Sequence, residues 1–186
     1  MTLNNRAMNG DRSAAIRWAQ DVLKHGHYVL LDTETTGVLN DDEIVQITIL
    51  GENGQSVFTT LVQPTKPIAP EAEAIHHITA AMVANAPTFP QVYERIKRAL
   101  DNRRVIIYNA AFDTRILEQC CQRYGLPPLQ YFVVECAMLK YAAFVAERDP
   151  KRGGWKWQKL PGGDHSAGGD CLAMLAVIRK MAEATP

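Results

Sequence analysis

Two strand candidates, Tyr28–Thr33 and Arg104–Tyr108, begin as apolar runs and stop at clusters of small polar and acidic residues. Asp32-Thr33-Glu34-Thr35-Thr36-Gly37 closes the first, and Asn109-Ala110-Ala111-Phe112-Asp113 follows the second. Near-continuous apolar runs mark strands buried on both faces, and such strands need helices above and below the sheet. In open α/β sheets, ligands collect beyond the carboxyl ends of neighbouring parallel strands. If these two strands are neighbours, Asp113 faces Asp32 and Glu34.

The rest of the chain supplies the covering helices. Arg12–His25 places Ile16, Ala19, Val22 and Leu23 on one helical face, with Asp11 or Ser13 as cap. Ile44–Leu50 and Ser56–Val62 are further strands, joined by the turn residues Gly51-Glu52-Asn53-Gly54, so the first three strands form an antiparallel meander. After Pro64, Pro67 and Pro70 come short helical pieces at Glu71–Ile75 and Thr79–Ala84, then a firmer helix from about Pro90 to Leu100. Ala111–Tyr124 is helical and closes at Gly125. A short strand near Phe132–Val134, a helix from about Cys136 to Glu147, an irregular basic loop Arg148–Gly163 and a helix from Asp164 to about Ala182 complete the chain. Strand and helix alternate here, which implies parallel pairing.

With 186 residues and 47% hydrophobic content, the chain fits one domain, residues 1–186, with an N-terminal helix at about 12–25 and a motif-bearing core at about 28–182. Cys120 and Cys121 are adjacent, Cys136 and Cys171 stand alone, and no C-x-x-C pair occurs, which argues against a zinc or thioredoxin-type motif and for a reducing, cytoplasmic setting. Residues Met1–Asp11 lack an apolar signal core, and no run is long enough to cross a bilayer, so no membrane association is expected. The net charge of zero hides an asymmetry: residues 1–75 carry five Lys/Arg against ten Asp/Glu, a net −5, so residues 76–186 carry +5. The second half can attract a polyanion.

Three clusters carry chemistry. Side chains at i and i+2 of an extended segment share a face, so Asp32 and Glu34 project together. Two carboxylates this close repel unless cations separate them, and hard oxygen donors suit Mg²⁺ or Mn²⁺ rather than zinc. Read alone, the triplet equally fits a solvated strand end, and Asp113 fits an acid placed in a first helical turn by the dipole. The third cluster, His165-Ser166-Ala167-Gly168-Gly169-Asp170, opens the last helix after Gly162-Gly163. A histidine beside an activated water can take its proton near neutral pH. By itself this cluster also reads as a loop histidine and a helix-start acid.

Taken in order and at these separations, Asp32-x-Glu34-Thr35-Thr36-Gly37, Asn109-Ala110-Ala111-Phe112-Asp113 and His165-x-Ala167-x-x-Asp170 resemble the three exonuclease motifs of the DEDDh 3′→5′ exonuclease family, above all the proofreading subunit of bacterial replicative DNA polymerase. The resemblance covers about Tyr28 to Met181. It implies a ribonuclease-H-like α/β fold with a central mixed five-stranded sheet flanked by helices. It further implies that Asp32 bridges two divalent ions, Mg²⁺ or Mn²⁺, about 4 Å apart. Glu34 and Asp170 would complete the ion on the side of the attacking water, Asp113 would hold the ion on the side of the leaving 3′ oxygen, and His165 would act as general base. The implied reaction releases nucleoside 5′-monophosphates from nucleic-acid 3′ ends, most readily single-stranded DNA. The alternatives are an RNA-trimming or oligoribonucleotide-degrading member of the family, or a non-catalytic module that binds nucleic acid or polymerase. Any attachment to a polymerase would have to run through another protein.

The resemblance also touches substrate binding. Thr35 and Phe112 fall where the family meets the terminal nucleotide, and His76 lies in Ile75-His76-His77-Ile78-Thr79, similar to a segment in which glycine stands where His77 stands here. Glycine tolerates φ > 0 far more readily than histidine, so the departure bears on the backbone of that loop. Gly168 and Gly169 replace larger residues and each costs a helix about 1 kcal/mol relative to alanine, so this turn is expected to be loose. In the basic loop, Arg148, Lys151, Arg152, Lys156 and Lys159 alternate with Trp155 and Trp157, a pattern that fits either phosphate and base contacts or a solvated loop pinned by its tryptophans. Arg103 and Arg104 read as helix-end and strand-edge residues.

Overall fold

The computed structural model describes residues 3–131, 133–151 and 153–186, with side chains from residue 10 onward. Three strands, β1 (Tyr28–Thr35), β2 (Ile44–Leu50) and β3 (Ser56–Leu61), form the expected antiparallel meander. Two more, β4 (Arg104–Ile107) and β5 (Val133–Cys136), add in parallel on the other side of β1, giving a mixed sheet of order β3-β2-β1-β4-β5. The β2–β3 turn closes through Gly51 N–H to Gln55 O at 2.8 Å, with Gly54 at φ 80°, the left-handed geometry that glycine takes at no steric cost.

Alternation along the strands explains the two cores. Val29, Leu31, Val105 and Ile107 face one side, where helices α4 (Phe89–Leu100) and α5 (Ala110–Arg123) contribute Phe89, Ile96, Ile116 and Leu117. Tyr28, Leu30 and Ile106 face the other, covered by α1 (Leu3–His25), α6 (Ala137–Val145) and α7 (Ala167–Ala182) through Trp18, Val22, Met138, Met174 and Ile178. Each fully buried aliphatic side chain of this kind contributes about 1.5–3 kcal/mol. Two short helices, α2 (Pro70–His76) and α3 (Ala80–Val83), lie between the meander and α4. No helix among the described residues is long and apolar enough to cross a membrane.

Four boundaries differ from the sequence expectation, each for a physical reason. Helix α1 starts at Leu3 rather than Arg12; its first turns lack the apolar periodicity by which a sequence marks a helix. Strand β1 continues through Thr35 instead of stopping at Thr33: Glu34 and Thr35 still pair with β2, across from Gln46 and Ile44, with a register shift between them. The acids therefore sit within the ladder and not beyond it. Helix α7 starts at Ala167 rather than Asp164, since Ser166 caps it by accepting from Gly169 N–H, and His165 falls on the turn before the helix. The last strand runs Val133–Cys136, and the Phe132 at which it was expected to start lies outside the described residues, as does Arg152.

Arg104, expected at a strand edge, is a clamp. It donates to Asp21 Oδ2 of α1 and to Glu135 Oε2 of β5, both at 2.8 Å, while Glu135 Oε1 accepts from the Trp18 indole at 2.7 Å. Arg103 bonds the Ala99 carbonyl at the end of α4, as a helix-end residue does.

Candidate active site

The alternation that divides the core also sorts the acids. Asp32 and Glu34 continue the face of Leu30, towards α7, and the ligand oxygens of Asp32, Glu34 and Asp170 lie within 4.8 Å of one another. Thr33 continues the face of Leu31, towards α5, and there it holds Asp113. The Thr33 backbone N–H and hydroxyl donate to Asp113 Oδ1 at 3.1 and 2.7 Å. Asp113 is only 4% exposed, so it is a wall residue and not merely an acid favoured by the α5 dipole. With β1 and β4 paired in parallel, all four carboxylates and His165 line one cleft of about 280 Å³, together with Thr33, Tyr108, Asn109, Phe112 and Leu160.

The third motif is tightly braced, contrary to the looseness expected of its glycines. Asp170 Oδ1 accepts from Asp164 N–H at 2.9 Å and from His165 N–H at 3.2 Å. Asp164 Oδ1 in turn accepts from the Ser166 N–H and hydroxyl at 3.0 and 2.8 Å. A Cβ on Gly169 would collide with the Asp164 carboxylate as it is placed, so the glycine leaves room for that side chain and its bonds to Ser166. His165 holds φ at 59°, left-handed backbone that a histidine adopts at a cost of about 1 kcal/mol or more.

Such crowding has an electrostatic signature. Burial, and then the neighbouring Asp113, Glu34 and Asp170, push the Asp32 carboxyl well above the ordinary carboxylate range. Burial followed by Asp170, Asp113 and Asp164 raises Glu34 from 4.5 to about 8. Asp113 is also raised, by burial first, although the Thr33 bonds oppose it. Among the described residues none of the four forms an ion pair with Lys or Arg. Thr48, opposite Asp32 in the β1–β2 register, has a buried hydroxyl with no hydrogen-bond partner among the described residues. An all-oxygen donor set with unbalanced negative charge and an orphaned hydroxyl beside it fits hard divalent cations.

The electrostatics set a pH dependence. Glu34 keeps its proton in the folded, metal-free chain up to about pH 8, whereas the unfolded chain releases it near 4.5, so the folded state binds more protons between these values. Stability contributed by the protonated group is therefore full below pH 4.5 and is lost as pH rises through 8. We expect the melting temperature in EDTA to fall by roughly 5 °C between pH 5.5 and 8.5, and saturating Mg²⁺ to cancel most of the fall. Thermal scans with and without EDTA check this; a flat or rising EDTA curve would contradict it.

Thr35 and His76 lie outside the cleft lining. The Thr35 hydroxyl donates to Gly37 O at 2.6 Å. His76 is buried; its Nδ1 accepts from Ile78 N–H at 3.0 Å, which leaves the proton on Nε2 to donate to the Thr35 carbonyl at 3.1 Å. Both ring nitrogens are thus spent inside the chain, and burial lowers the ring's pKa. His77, where the resemblance has glycine, closes α2 at φ 60°, so the left-handed geometry is present despite the residue. Phe112 is half-buried in the cleft wall, with the Arg115 guanidinium 5.2 Å from its ring centre.

Several contributors had no motif to announce them. Gln46 accepts from Ala167 N–H at 3.0 Å and ties the start of α7 to β2; a polar residue inside the apolar run Ile44–Leu50 was the available signal. Thr33 was legible only as an Asp–Glu spacer. Tyr108 reads as the last residue of an apolar run, yet its hydroxyl donates to Gln158 O at 3.0 Å and fixes the chain beside the cleft.

Comparison with known proteins agrees with this geometry. The family model RNase_T, described as exonuclease, matches residues 29–178. The chain belongs to this exonuclease family. The exonuclease is 38% identical over 185 residues to the "Uncharacterized exonuclease CP81" of Escherichia phage 186, covering 91% of this chain and 92% of that one. It resembles the solved structure of Exonuclease X in complex with 5′-overhanging duplex DNA, at 28% identity and a TM-score of 0.56, over 85% of this chain and 94% of that one. It shares the fold of the nuclease domain of 3′hExo, a DEDDh family member bound to rAMP, at 15% identity and a TM-score of 0.58, over 86% of this chain and 94% of that one. The fold is therefore the ribonuclease-H-like α/β fold, and the protein is a DEDDh-type 3′→5′ exonuclease acting on nucleic acid, with an acidic cluster placed where a divalent metal could be held.

Proposed function

We propose that this exonuclease works as one unit in the cytoplasm, where its four cysteines stay as free thiols, and removes nucleoside 5′-monophosphates from the 3′ ends of single-stranded DNA with two Mg²⁺ or Mn²⁺ ions. The observation that carries the reading is the meeting of Asp32, Glu34 and Asp170 within 4.8 Å, beside buried Asp113, in one cleft with His165. DNA is favoured over RNA because a structural relative above one-quarter identity binds DNA.

Asp32, Glu34, Asp113 and Asp170 would hold the cations, which when bound supply charge neutralisation at the phosphoryl centre. Thr33 and the 164–165 backbone each engage one oxygen of an acid, Asp113 Oδ1 and Asp170 Oδ1, and so orient the carboxylates before any ligand arrives. His165, carried on the braced turn, takes the proton of the attacking water. Phe112 offers its ring to the terminal sugar or base. Thr35, buried and outside the cleft lining, would meet that nucleotide only through the backbone at the end of β1, and His76 would act indirectly, by holding the Thr35 carbonyl.

The test is degradation of a 5′-labelled oligonucleotide, with DNA and RNA strands of one sequence compared. Shortening from the 3′ end that requires Mg²⁺ or Mn²⁺ and is faster on DNA supports the reading. Faster RNA degradation would reassign the substrate, and activity in EDTA would overturn the metal mechanism.

A further inference from the structure

The chain between α6 and α7 divides into two parts with different tasks. Residues 147–149 and 154–156 pair with one another: Lys156 N–H donates to Glu147 O at 2.8 Å, Asp149 N–H to Gly154 O at 3.2 Å, and Arg148 and Trp155 form an antiparallel bridge. Trp155 is committed to this fold. Its indole donates to Asp11 of α1 at 3.1 Å, and the Arg148 guanidinium covers its ring at 4.4 Å. Trp157 is 55% exposed, although tryptophan is highly buried on average.

Its placement gives that exposure a meaning. Gln158, the next residue, is held through its carbonyl by Tyr108, and Tyr108 and Leu160 both line the catalytic cleft. Between these anchors Lys159 is exposed and makes no ion pair among the described residues, in contrast to Lys156, which is held by Glu147 at 2.6 Å. A large exposed ring and an unpaired ammonium thus lie on a strap fixed to the cleft wall. Bases present a π-face to such a ring irrespective of sequence, and phosphates pair with such a cation.

We propose that Trp157 and Lys159 form a second nucleic-acid contact, outside the catalytic cleft, that takes an unpaired base and a phosphate of the substrate strand upstream of its 3′-terminal nucleotide. This rests on the reading that the cleft holds a strand's 3′ end. The contact would give the enzyme a grip that grows with strand length and ignores sequence.

Affinity for phosphorothioate-linked thymidine oligomers, a dinucleotide and a dodecanucleotide, measured by fluorescence anisotropy with Mg²⁺, tests it. Trp157→Ala should weaken the dodecanucleotide by about fivefold or more and the dinucleotide by less than about twofold, with Trp157→Phe retaining most of the affinity. Lys159→Ala should make the slope of log affinity against log salt shallower by about 0.7, the value for one single-strand phosphate contact. Unchanged dodecanucleotide affinity in Trp157→Ala, or equal losses for both lengths, would overturn the proposal. The catalytic reading fails separately, by the wild-type protein leaving an ordinary phosphodiester dodecanucleotide intact in Mg²⁺.

Discussion

Replacing Asp32 by alanine should lower metal-dependent degradation by at least about 10³-fold while leaving the metal-free protein as stable as before or more so. Most partly buried residues lose stability when truncated. Asp32 differs because its carboxylate is disfavoured in place, first by burial and then by Asp113, Glu34 and Asp170. Removing it relieves the repulsion, and Asp32→Asn, which keeps the shape, should raise the metal-free melting temperature at pH 8 by roughly 2–5 °C. The stabilisation given by Mg²⁺ should shrink in both variants. Oligonucleotide degradation and thermal scans in EDTA read the two effects on the same samples. A variant that loses activity and also loses stability in EDTA would show that Asp32 is a structural acid, and full activity would remove it from the site altogether.

The second large effect belongs to His165. His165→Ala should slow degradation by about 10²–10⁴-fold, the usual worth of a positioned general base, yet retain the Mg²⁺-induced rise in melting temperature. Loss of that rise would make the histidine a ligand instead. The backbone supplies a further control. At φ 59° glycine is the comfortable residue, so His165→Gly should match alanine in rate and exceed it in stability. The wild-type chain tolerates the strained geometry because Asp170 receives the His165 N–H and the turn is thereby fixed from two sides.

How much of this was written in the residues varies with the kind of interaction. The apolar runs gave all five strands, because Tyr28–Leu31 or Ile44–Leu50 can be buried on both faces only inside a covered sheet. The period-two rule placed Asp32 and Glu34 together, and the parallel neighbours β1 and β4 brought Asp113 to them. What escaped was the extent of β1. Acids and threonines look like a strand end, but the ladder with β2 continues through them since backbone pairing is indifferent to side-chain polarity. Long-range polar partners escaped too: no spacing rule joins Thr33 to Asp113 or Gln46 to Ala167. Glycine misled, because Gly168-Gly169 reads as flexibility while Gly169 in fact makes room for Asp164. His76 read as a nucleotide contact, and its buried ring is held by Thr35 and Ile78.

The first helix bears on how the enzyme can be cut. The family match starts at residue 29, which leaves α1 looking like an appendage. Trp18, Ala19 and Val22 nevertheless share in covering one side of the sheet with α6 and α7, packing with Ile178 and Met181, and Asp21 latches onto Arg104 of β4. Trimming the protein to its recognisable part would bare an oily surface and release Arg104 of β4 and Glu135 of β5 from their partners on α1, so the chemistry depends mechanically on a segment that carries none of it.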